Sequence, residues 1–446
     1  MAGLGDFFDV PDLRKRIGFT LGAIAVFRVG ASIPIPGVNS AAIRAIFNAQ
    51  SNGLLGFLNT FSGGALGRFS IFSMGVMPYI NASIIVSLLQ GAHVFPALDR
   101  LAKEGELGRR KLNNYTRYLT LGLACFQSFG LTLAITKMPT PGNIPVVTNP
   151  GVPFYLVTVL TLVAGTIFVM WLGEQITETG IGNGVSLIIF AGIVERIPAA
   201  TMSLIELVRI EEMNLLMAGG IVAALLGVTL LVVWLETAVR RIPVQYAKRM
   251  VGRRMYGGSQ SYLPLKVDQS GVIAVIFAIS LIQVPLTLSM FYAKTAWGQK
   301  IQDVINRGSW MYDLSYAALI VFFCYFYNSV SINPQDLADN LKKSGGFIPG
   351  IRPGEPTAKF IEWVMERITL GGALAVAAIA VLPDVLRRNF SVPFFFGGTS
   401  LLIVVGVALD TMGQVEAQLI MRHYEGFMKK GRIQGRWFNI GEQTQA

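Results

Sequence analysis

Long apolar segments recur along the whole chain and constrain its fold more than any other feature. Ten runs have roughly the 20 apolar residues that a helix needs to cross a hydrocarbon core of about 30 Å. Only 14% of the 446 residues are charged, whereas soluble domains average about 25%. The sequence therefore predicts an all-α membrane protein of about ten transmembrane helices. The predicted spans are 17–35, 74–94, 115–136, 153–173, 183–200, 214–239, 270–291, 313–332, 367–385 and 395–418.

The formal net charge of +11 is distributed unevenly between the segments that join these spans. If the N-terminus is cytoplasmic, most of the 37 Lys and Arg residues fall in cytoplasmic segments. Short loops follow the positive-inside rule, so both termini are predicted to be cytoplasmic. Residues 1–16 lack the pattern of a cleavable signal peptide and are predicted to lie along the inner membrane surface as an amphipathic segment. A second interpretation of the basic excess is docking to acidic or RNA-bearing partners.

The number of spans predicts two halves of opposite orientation. Five spans fall within residues 17–205 and five within 206–418, followed by a cytoplasmic tail, 419–446. Because five is odd, the second half enters the membrane from the opposite side to the first. This arrangement predicts an inverted repeat with the functional path between the halves.

The sequence offers little that could support catalysis. It contains two histidines, His93 and His423, and two cysteines, Cys125 and Cys324, both within predicted spans. The metalloprotease, nucleophile-elbow and P-loop motifs are missing from it. We therefore predict no enzymatic activity, cofactor or metal. An ion-coupled secondary transporter stays an alternative, although such proteins need polar groups near the bilayer midplane and this chain is poor in them. Arg28 lies clearly inside a span, where a charge is costly, so it is predicted to have a partner.

Three segments between the spans are unusual. The Gly-rich stretch at about 57–70 is too short and too rich in glycine to cross a membrane, which is typical of backbone that re-enters the membrane inside protein. The cytoplasmic loops 240–269 and 333–366 are long for simple connections, and long loops are commonly functional. The first alternates basic residues with β-compatible ones around a Gly-Gly turn, so it is predicted to form a projecting β-hairpin.

Four long segments resemble the signature segments of the SecY/Sec61-alpha family, and the resemblance extends over nearly the whole chain. They are FSGGALGRFSIFSMGVMPYINASII, GEQITETGIGNGVSLIIFAGIV, GGFIPGIRPGEPTAKFIE and FGGTSLLIVVGVALD. The resemblance implies two inverted five-helix halves around a central pore with a plug helix. It implies a protein-conducting channel of the inner (cytoplasmic) membrane, which translocates unfolded secretory polypeptides and releases transmembrane segments sideways into the lipid.

The resemblance also assigns functional positions. An apolar ring that dewets and blocks ions is the family's constriction, and it matches Val76, Ile80, Val185, Ile189, Ile276 and Ile403. The plug corresponds to Phe61, Ser62, Gly63, Gly64, Ala65, Leu66, Gly67 and Arg68. The family opens a lateral gate between its second and third and its seventh and eighth helices. The polar candidates for that gate are Asn81, Ser83, Ser87 and Gln283, with ordinary interhelical hydrogen bonding as the alternative role.

The partners implied by the resemblance are the membrane subunits SecE and SecG, the SecA motor ATPase and the ribosome, besides signal sequences, nascent chains and membrane lipids. Ribosomal RNA and acidic motor surfaces would meet the basic residues of the long cytoplasmic loops. These docking candidates are Arg240, Arg241, Lys248, Arg249, Arg253, Arg254 and Arg352.

Overall fold

The computed structural model describes residues 11–49, 56, 59, 62–91, 98, 101, 104–137, 145–147, 151–211, 213–246, 249–251, 254–256, 260–291, 310–390 and 398–430. Thirteen α-helices account for most of these residues. They are α1 (Pro11–Ser32), α2 (Ser40–Ala49), α3 (Met77–Gly91), α4 (Glu106–Lys137), α5 (Val152–Thr179), α6 (Gly184–Val194), α7 (Arg196–Arg209), α8 (Leu215–Thr237), α9 (Val272–Phe291), α10 (Trp310–Ser331), α11 (Pro334–Lys343), α12 (Glu355–Phe390) and α13 (Gly398–Lys430).

The predicted helical membrane fold is confirmed. Every predicted span overlaps one of these helices. Among the described residues, seven helical stretches are long and apolar enough to cross a membrane, while α1, α3 and α9 fall outside that set. The full count of ten and the division at residue 205 stay predictions. The seven stretches are Glu106–Thr136, Val152–Thr179, Gly184–Arg209, Leu215–Thr237, Trp310–Lys343, Glu355–Leu382 and Thr399–Met421.

A tight glycine turn joins α5 to α6 and connects elements that lie far apart in the sequence. Gly182 has φ +83°, a conformation that glycine adopts readily. Its N–H donates to Oε1 of Gln414 on α13 at 2.9 Å, and the N–H of Ile181 donates to Oγ1 of Thr20 on α1 at 3.2 Å. The Asn183 side chain caps α6 by accepting from the N–H of Ser186. The turn thus ties α1 and α13 to the α5–α6 junction.

The first long loop contains the predicted hairpin, which is confirmed. Strand β1 (Val239–Tyr246) pairs antiparallel with β4 (Gln260–Lys266), and β2 (Arg249–Val251) pairs with β3 (Arg254–Tyr256) nearer the tip. The second long loop adds β5 (Gly346–Phe347) to the free side of β1, giving the order β4-β1-β5. It also contains α11, a helix that the sequence analysis did not predict.

The two loops share a small apolar core, so they fold as one unit. This core joins the sheet to the N-terminal turns of α12 and consists of Ile242, Leu265, Ile348, Ile361 and Met365. Burial of a side chain of this size stabilises a fold by about 1.5–3 kcal/mol. The docking candidates Arg240, Arg241 and Arg352 therefore belong to one folded unit, which we call the projection.

Two larger apolar clusters fill the helical body. The main cluster draws on both predicted halves, with residues from α1, α3, α5, α6, α8, α9, α10, α12 and α13. The second cluster joins α2 to the segment around Leu66 and Phe69 and to Ile135 and Leu162 on α4 and α5. The candidate ring lies in the first cluster, and part of the candidate plug lies in the second.

Candidate pore, gate and plug

The six residues assigned to the ring all belong to the main apolar cluster. Ile80 on α3, Ile189 on α6, Ile276 on α9 and Ile403 on α13 are at most 6% exposed. Val76 is equally buried one residue before α3, and the half-buried Val185 packs against the same cluster. The i, i+4 spacing of Val76 with Ile80 and of Val185 with Ile189 puts each pair on one helix face.

A cavity of about 470 Å³ adjoins this cluster, and three ring residues line it. Ile80, Val185 and Ile276 border it together with Ile273 and Phe277, which form the apolar part of its lining. The other three ring candidates, Val76, Ile189 and Ile403, do not line it. The rest of the lining is largely polar and consists of Tyr79, Ser83, Ser87, Asn113, Arg117, Glu174, Thr177, Glu178, Asn183, Ser186 and Tyr327.

Arg117 on α4 and Glu174 on α5 form a two-pronged ion pair in the polar wall. Arg117 Nε donates to Oε1 of Glu174 at 3.0 Å, and Nη2 donates to Oε2 at 2.8 Å. Such a fork has a defined geometry and is stronger than a neutral hydrogen bond. This pair was not predicted, because its members lie on different helices, 57 residues apart, and no local sequence pattern joins them.

The gate candidates occupy two neighbouring helices. Ser83 and Ser87 on α3 line the cavity, whereas Asn81 and Gln283 do not. Asn81 is 3% exposed, and neither atom of its side-chain amide has a hydrogen-bond partner within the described part of the chain. Helix α9, which carries Gln283, packs against α3, α4 and α10. The helices of the second, third, seventh and eighth spans therefore pack together where the resemblance predicts a lateral gate.

The plug candidates form a compact, largely buried segment. Asn59 organises it: its Oδ1 accepts from the N–H of Gly67 at 2.7 Å, and its backbone oxygen accepts from the N–H of Gly64 at 2.8 Å. Leu66 opens a single 3-10 turn, Leu66–Arg68, and is 4% exposed in the second apolar cluster. Phe61 lies outside the described residues.

Arg28, predicted to need a partner inside the first span, has three. It forms an ion pair with Glu195, which lies between α6 and α7. Its Nη1 donates to the backbone oxygen of Gly63 at 3.0 Å, and its Nη2 donates to that of Ala191 at 2.6 Å. The cost of a charge inside the membrane predicts that Arg28 has a partner, but it does not identify which residue that is.

Five of the seven docking candidates lie in the described part of the two loops. Arg240 and Arg241 are exposed on β1, and Arg352 is exposed between β5 and α12. Arg249 and Arg254 occupy β2 and β3. Lys248 and Arg253 lie outside the described residues.

Asp268 stands at the base of this projection, between β4 and α9. Its carboxylate accepts from Oγ of Ser270 at 2.9 Å and from the N–H of Gly271 at 2.8 Å. Burial to 4% exposure raises the pKa of Asp268, and these hydrogen bonds and the charge of Lys266 oppose the shift. Desolvation of the charged form is the larger effect.

Comparisons with known proteins match one family over most of the chain. A family model described as SecY matches residues 70–412. The protein translocase subunit SecY of Escherichia coli K12 is 49% identical over 427 residues, which cover 95% of this chain and 96% of that protein. The subunit of the same name from Aquifex aeolicus is 46% identical, with 95% of this chain and 98% of that protein covered.

Solved structures show the same fold at low sequence identity. A protein-conducting channel superposes with a TM-score of 0.66 at 14% identity, covering 94% of both chains. A SecY protein whose plug domain stabilises the closed state of the translocation channel and maintains a membrane seal has a TM-score of 0.65 at 16% identity, again covering 94% of both chains. Sec61 in a canine ribosome–channel complex from the endoplasmic reticulum has a TM-score of 0.60 at 13% identity, with 94% of both chains covered. The alternative of an ion-coupled transporter gains no support from these matches.

Proposed function

Since this chain belongs to the SecY family of protein translocase subunits, we propose that its six-residue apolar ring is the constriction through which unfolded polypeptides pass. The chain is a protein-conducting channel subunit and not an enzyme. Its substrates are secretory chains, which cross the membrane, and transmembrane segments, which leave sideways.

The proposal for the ring is supported by where its six residues lie. Six aliphatic side chains from four helices, drawn from both predicted halves, share one apolar cluster beside a polar cavity. Apolar walls dewet and so exclude ions, while branched aliphatic side chains offer a passing backbone no strong hydrogen bond. A ring of this composition can therefore close the channel at rest and still let an extended chain slide through.

The cavity has the position expected of an inner vestibule. With both termini cytoplasmic, its lining residues lie at the inner ends of their helices: Ser87 near the end of α3, Asn113 near the start of α4 and Thr177 near the end of α5. Its polar wall suits a hydrated entrance, and its apolar side is the ring. This orientation, in the cytoplasmic membrane, is part of the proposal.

The lateral gate is proposed to lie between α3 and α4 on one side and α9 and α10 on the other. A signal sequence contains about 7–15 apolar residues, which favour lipid over a watery pore. The buried amide of Asn81, without a hydrogen bond among the described residues, weakens the closed seam, because an unsatisfied buried polar group costs about 1–3 kcal/mol. We assign Asn81, Ser83, Ser87 and Gln283 to this gate.

The proposed plug is the segment 61–68, at the opposite end of the ring from the cavity. Ser62 lies beside Gly75, since a Cβ built on Gly75 would stand 3.7 Å from the Cα of Ser62, and Val76 of the ring follows directly. The described part of the segment is anchored by hydrogen bonds to Asn59 and by the burial of Leu66. Gly63 and Gly64 both have positive φ, a conformation that glycine adopts readily and residues with a side chain adopt rarely.

The cytoplasmic projection is proposed to dock the ribosome during synthesis and the SecA motor after it. Arg240, Arg241 and Arg352 are exposed on one folded unit, so their charges can act together on an acidic or RNA-bearing surface. Lys248, Arg249, Arg253 and Arg254 are assigned to the same surface by their position in the loop. SecE and SecG are proposed as membrane partners.

Translocation into vesicles tests the function directly. The assembled complex is reconstituted with its motor and ATP, and a radiolabelled secretory precursor is added in an unfolded and in a tightly folded form. The proposal expects the unfolded precursor to become protected from added protease and the folded one to stay accessible. Protection that does not depend on this chain, or equal protection of both forms, would contradict it.

A further inference from the structure

Arg28 connects three elements at the outer end of the ring. It lies on α1, bonds the backbone oxygen of Gly63 in the proposed plug, and bonds the backbone oxygen of Ala191 near the end of α6. Its ion pair with Glu195 adds the junction between α6 and α7. A planar guanidinium can serve several acceptors at once, which a lysine ammonium on the same stem does less well.

Gly63 fits closely between its neighbours. A Cβ built on it would stand 3.0 Å from Nη1 of Arg28 and 3.0 Å from the Cα of Gly192. Its φ of +64° is one that side-chain-bearing residues rarely adopt. The plug backbone therefore approaches both α1 and α6 at this point, and Arg28 bonds it there.

Arg68, at the far end of the same segment, reaches the same helices. Its Nη1 donates to Oγ of Ser32 on α1 at 3.3 Å, and its Nη2 lies 4.0 Å from Oε1 of Glu195. Glu195 thus faces an arginine from α1 and an arginine from the plug. One carboxylate and one guanidinium together tie both ends of the segment to the channel wall.

We propose that Arg28 and Glu195 form a latch that holds residues 62–68 in the closed position and sets how readily a signal sequence opens the channel. The inference rests on the proposed plug. When the plug moves away, the Gly63 bond and the Arg68 contact break, whereas the bonds of Arg28 to Glu195 and Ala191 remain on the wall. When the Gly63 bond breaks, an N–H of the charged Arg28 side chain loses its acceptor inside the membrane. Because that loss is costly, Arg28 favours the closed position.

Resting ion conductance of the assembled complex in planar bilayers measures this latch. Arg28→Gln should raise the conductance about tenfold, the factor that corresponds to about 1.4 kcal/mol. Arg28→Lys should restore part of the seal, and Glu195→Gln should give a smaller rise than Arg28→Gln. The exposed Arg44 on α2 gives the matched control, since Arg44→Gln removes one charge without touching the latch. A double variant with Arg28→Gln and Glu195→Gln leaves no lone charge at this site and should have the same raised conductance as Arg28→Gln. It therefore tests the proposal even if the single variant assembles poorly.

Combination with a plug deletion separates the latch from other roles of Arg28. Deletion of 61–68 should raise conductance by itself, and adding Arg28→Gln should then change nothing. The same variants should export a precursor with a weakened signal sequence more efficiently. Additive conductance, or a tight seal in both the single and the paired variant, would overturn the latch while leaving the plug intact. A deletion that leaves conductance unchanged would overturn the plug itself.

Discussion

Ile80 of α3 and Ile276 of α9 border the same cavity, although they belong to opposite predicted halves of the chain. Both are at most 6% exposed and belong to one apolar cluster with the other ring residues. An apolar contact between two halves can separate without breaking hydrogen bonds, so it can close a channel at rest and still open for a polypeptide.

A polar substitution in the ring should open it to ions. In Ile276→Asn the amide enters an apolar cluster where it lacks partners, at a cost of about 1–3 kcal/mol, and water entry relieves that cost. We expect resting conductance to rise about tenfold or more in bilayer recordings, since each 1.4 kcal/mol changes a population tenfold. Ile276→Leu, which keeps the surface apolar, should stay sealed. Equal conductance of the two variants would argue against a dewetted constriction.

Filling the gate with an apolar side chain should make the channel more stringent. Asn81→Leu removes a buried amide that has no hydrogen bond within the described chain, which stabilises the closed seam by about 1–3 kcal/mol. Export of a precursor with a weakened signal should therefore fall several-fold relative to a precursor with a strong one. Gln90→Leu, which removes a half-buried amide from the same helix outside the proposed gate, is the comparison and should change this ratio little. An unchanged ratio in Asn81→Leu would favour an ordinary packing role.

The buried carboxylate of Asp268 should make stability depend on pH. Its pKa in the folded state is raised, so the protonated form is favoured and its stabilising contribution is lost as pH rises through that pKa. Asp268→Asn, which keeps an acceptor for Ser270 and Gly271, should therefore raise Tm at neutral pH. The gain should disappear near the ordinary Asp pKa of about 3.9. Thermal unfolding of the purified complex at both pH values checks this, and the exposed Asp336→Asn should show no such gain. A lower Tm of Asp268→Asn at neutral pH would mean that the ionised form is needed.

Charge reversal on the projection should weaken docking in a salt-dependent way. Arg240→Glu with Arg241→Glu reverses two exposed charges on β1, and at about 0.15 M salt exposed charges act over about 8 Å. We expect the Kd for ribosomes to rise at least several-fold at low salt and the difference to shrink as salt is added. Arg44→Glu, on the segment predicted to face the other side of the membrane, should bind normally. A salt-independent loss would indicate misfolding of the projection.

The helical membrane fold followed from the apolar runs alone, because their length and hydropathy are local properties. The hairpin also followed from local signals around Gly257 and Gly258. Helix α11 was not predicted, although Asn333, Pro334 and the final Lys342 and Lys343 are ordinary start and stop signals. The two-residue strand β5 is too short to leave a pattern.

Ion pairs between residues far apart in the sequence could not be predicted from local sequence patterns. The cost of a charge in a span predicted that Arg28 needs a partner, but the identity of Glu195 depends on how α1 meets the α6–α7 junction. The Arg117–Glu174 pair has the same origin in helix packing. The ring positions came from resemblance to known segments, since aliphatic residues at i, i+4 occur equally in ordinary cores.

Crosslinking of a stalled secretory chain tests directly whether the polypeptide passes through the apolar ring. Single cysteines replace Ile80 or Ile276 in a background in which Cys125 and Cys324 are changed to alanine, and a precursor with one cysteine is trapped midway. We expect both positions to join the trapped chain, whereas a cysteine at Leu230, which is 70% exposed on α8, should not. Crosslinks at Leu230 but at neither ring position would show that the polypeptide takes another path.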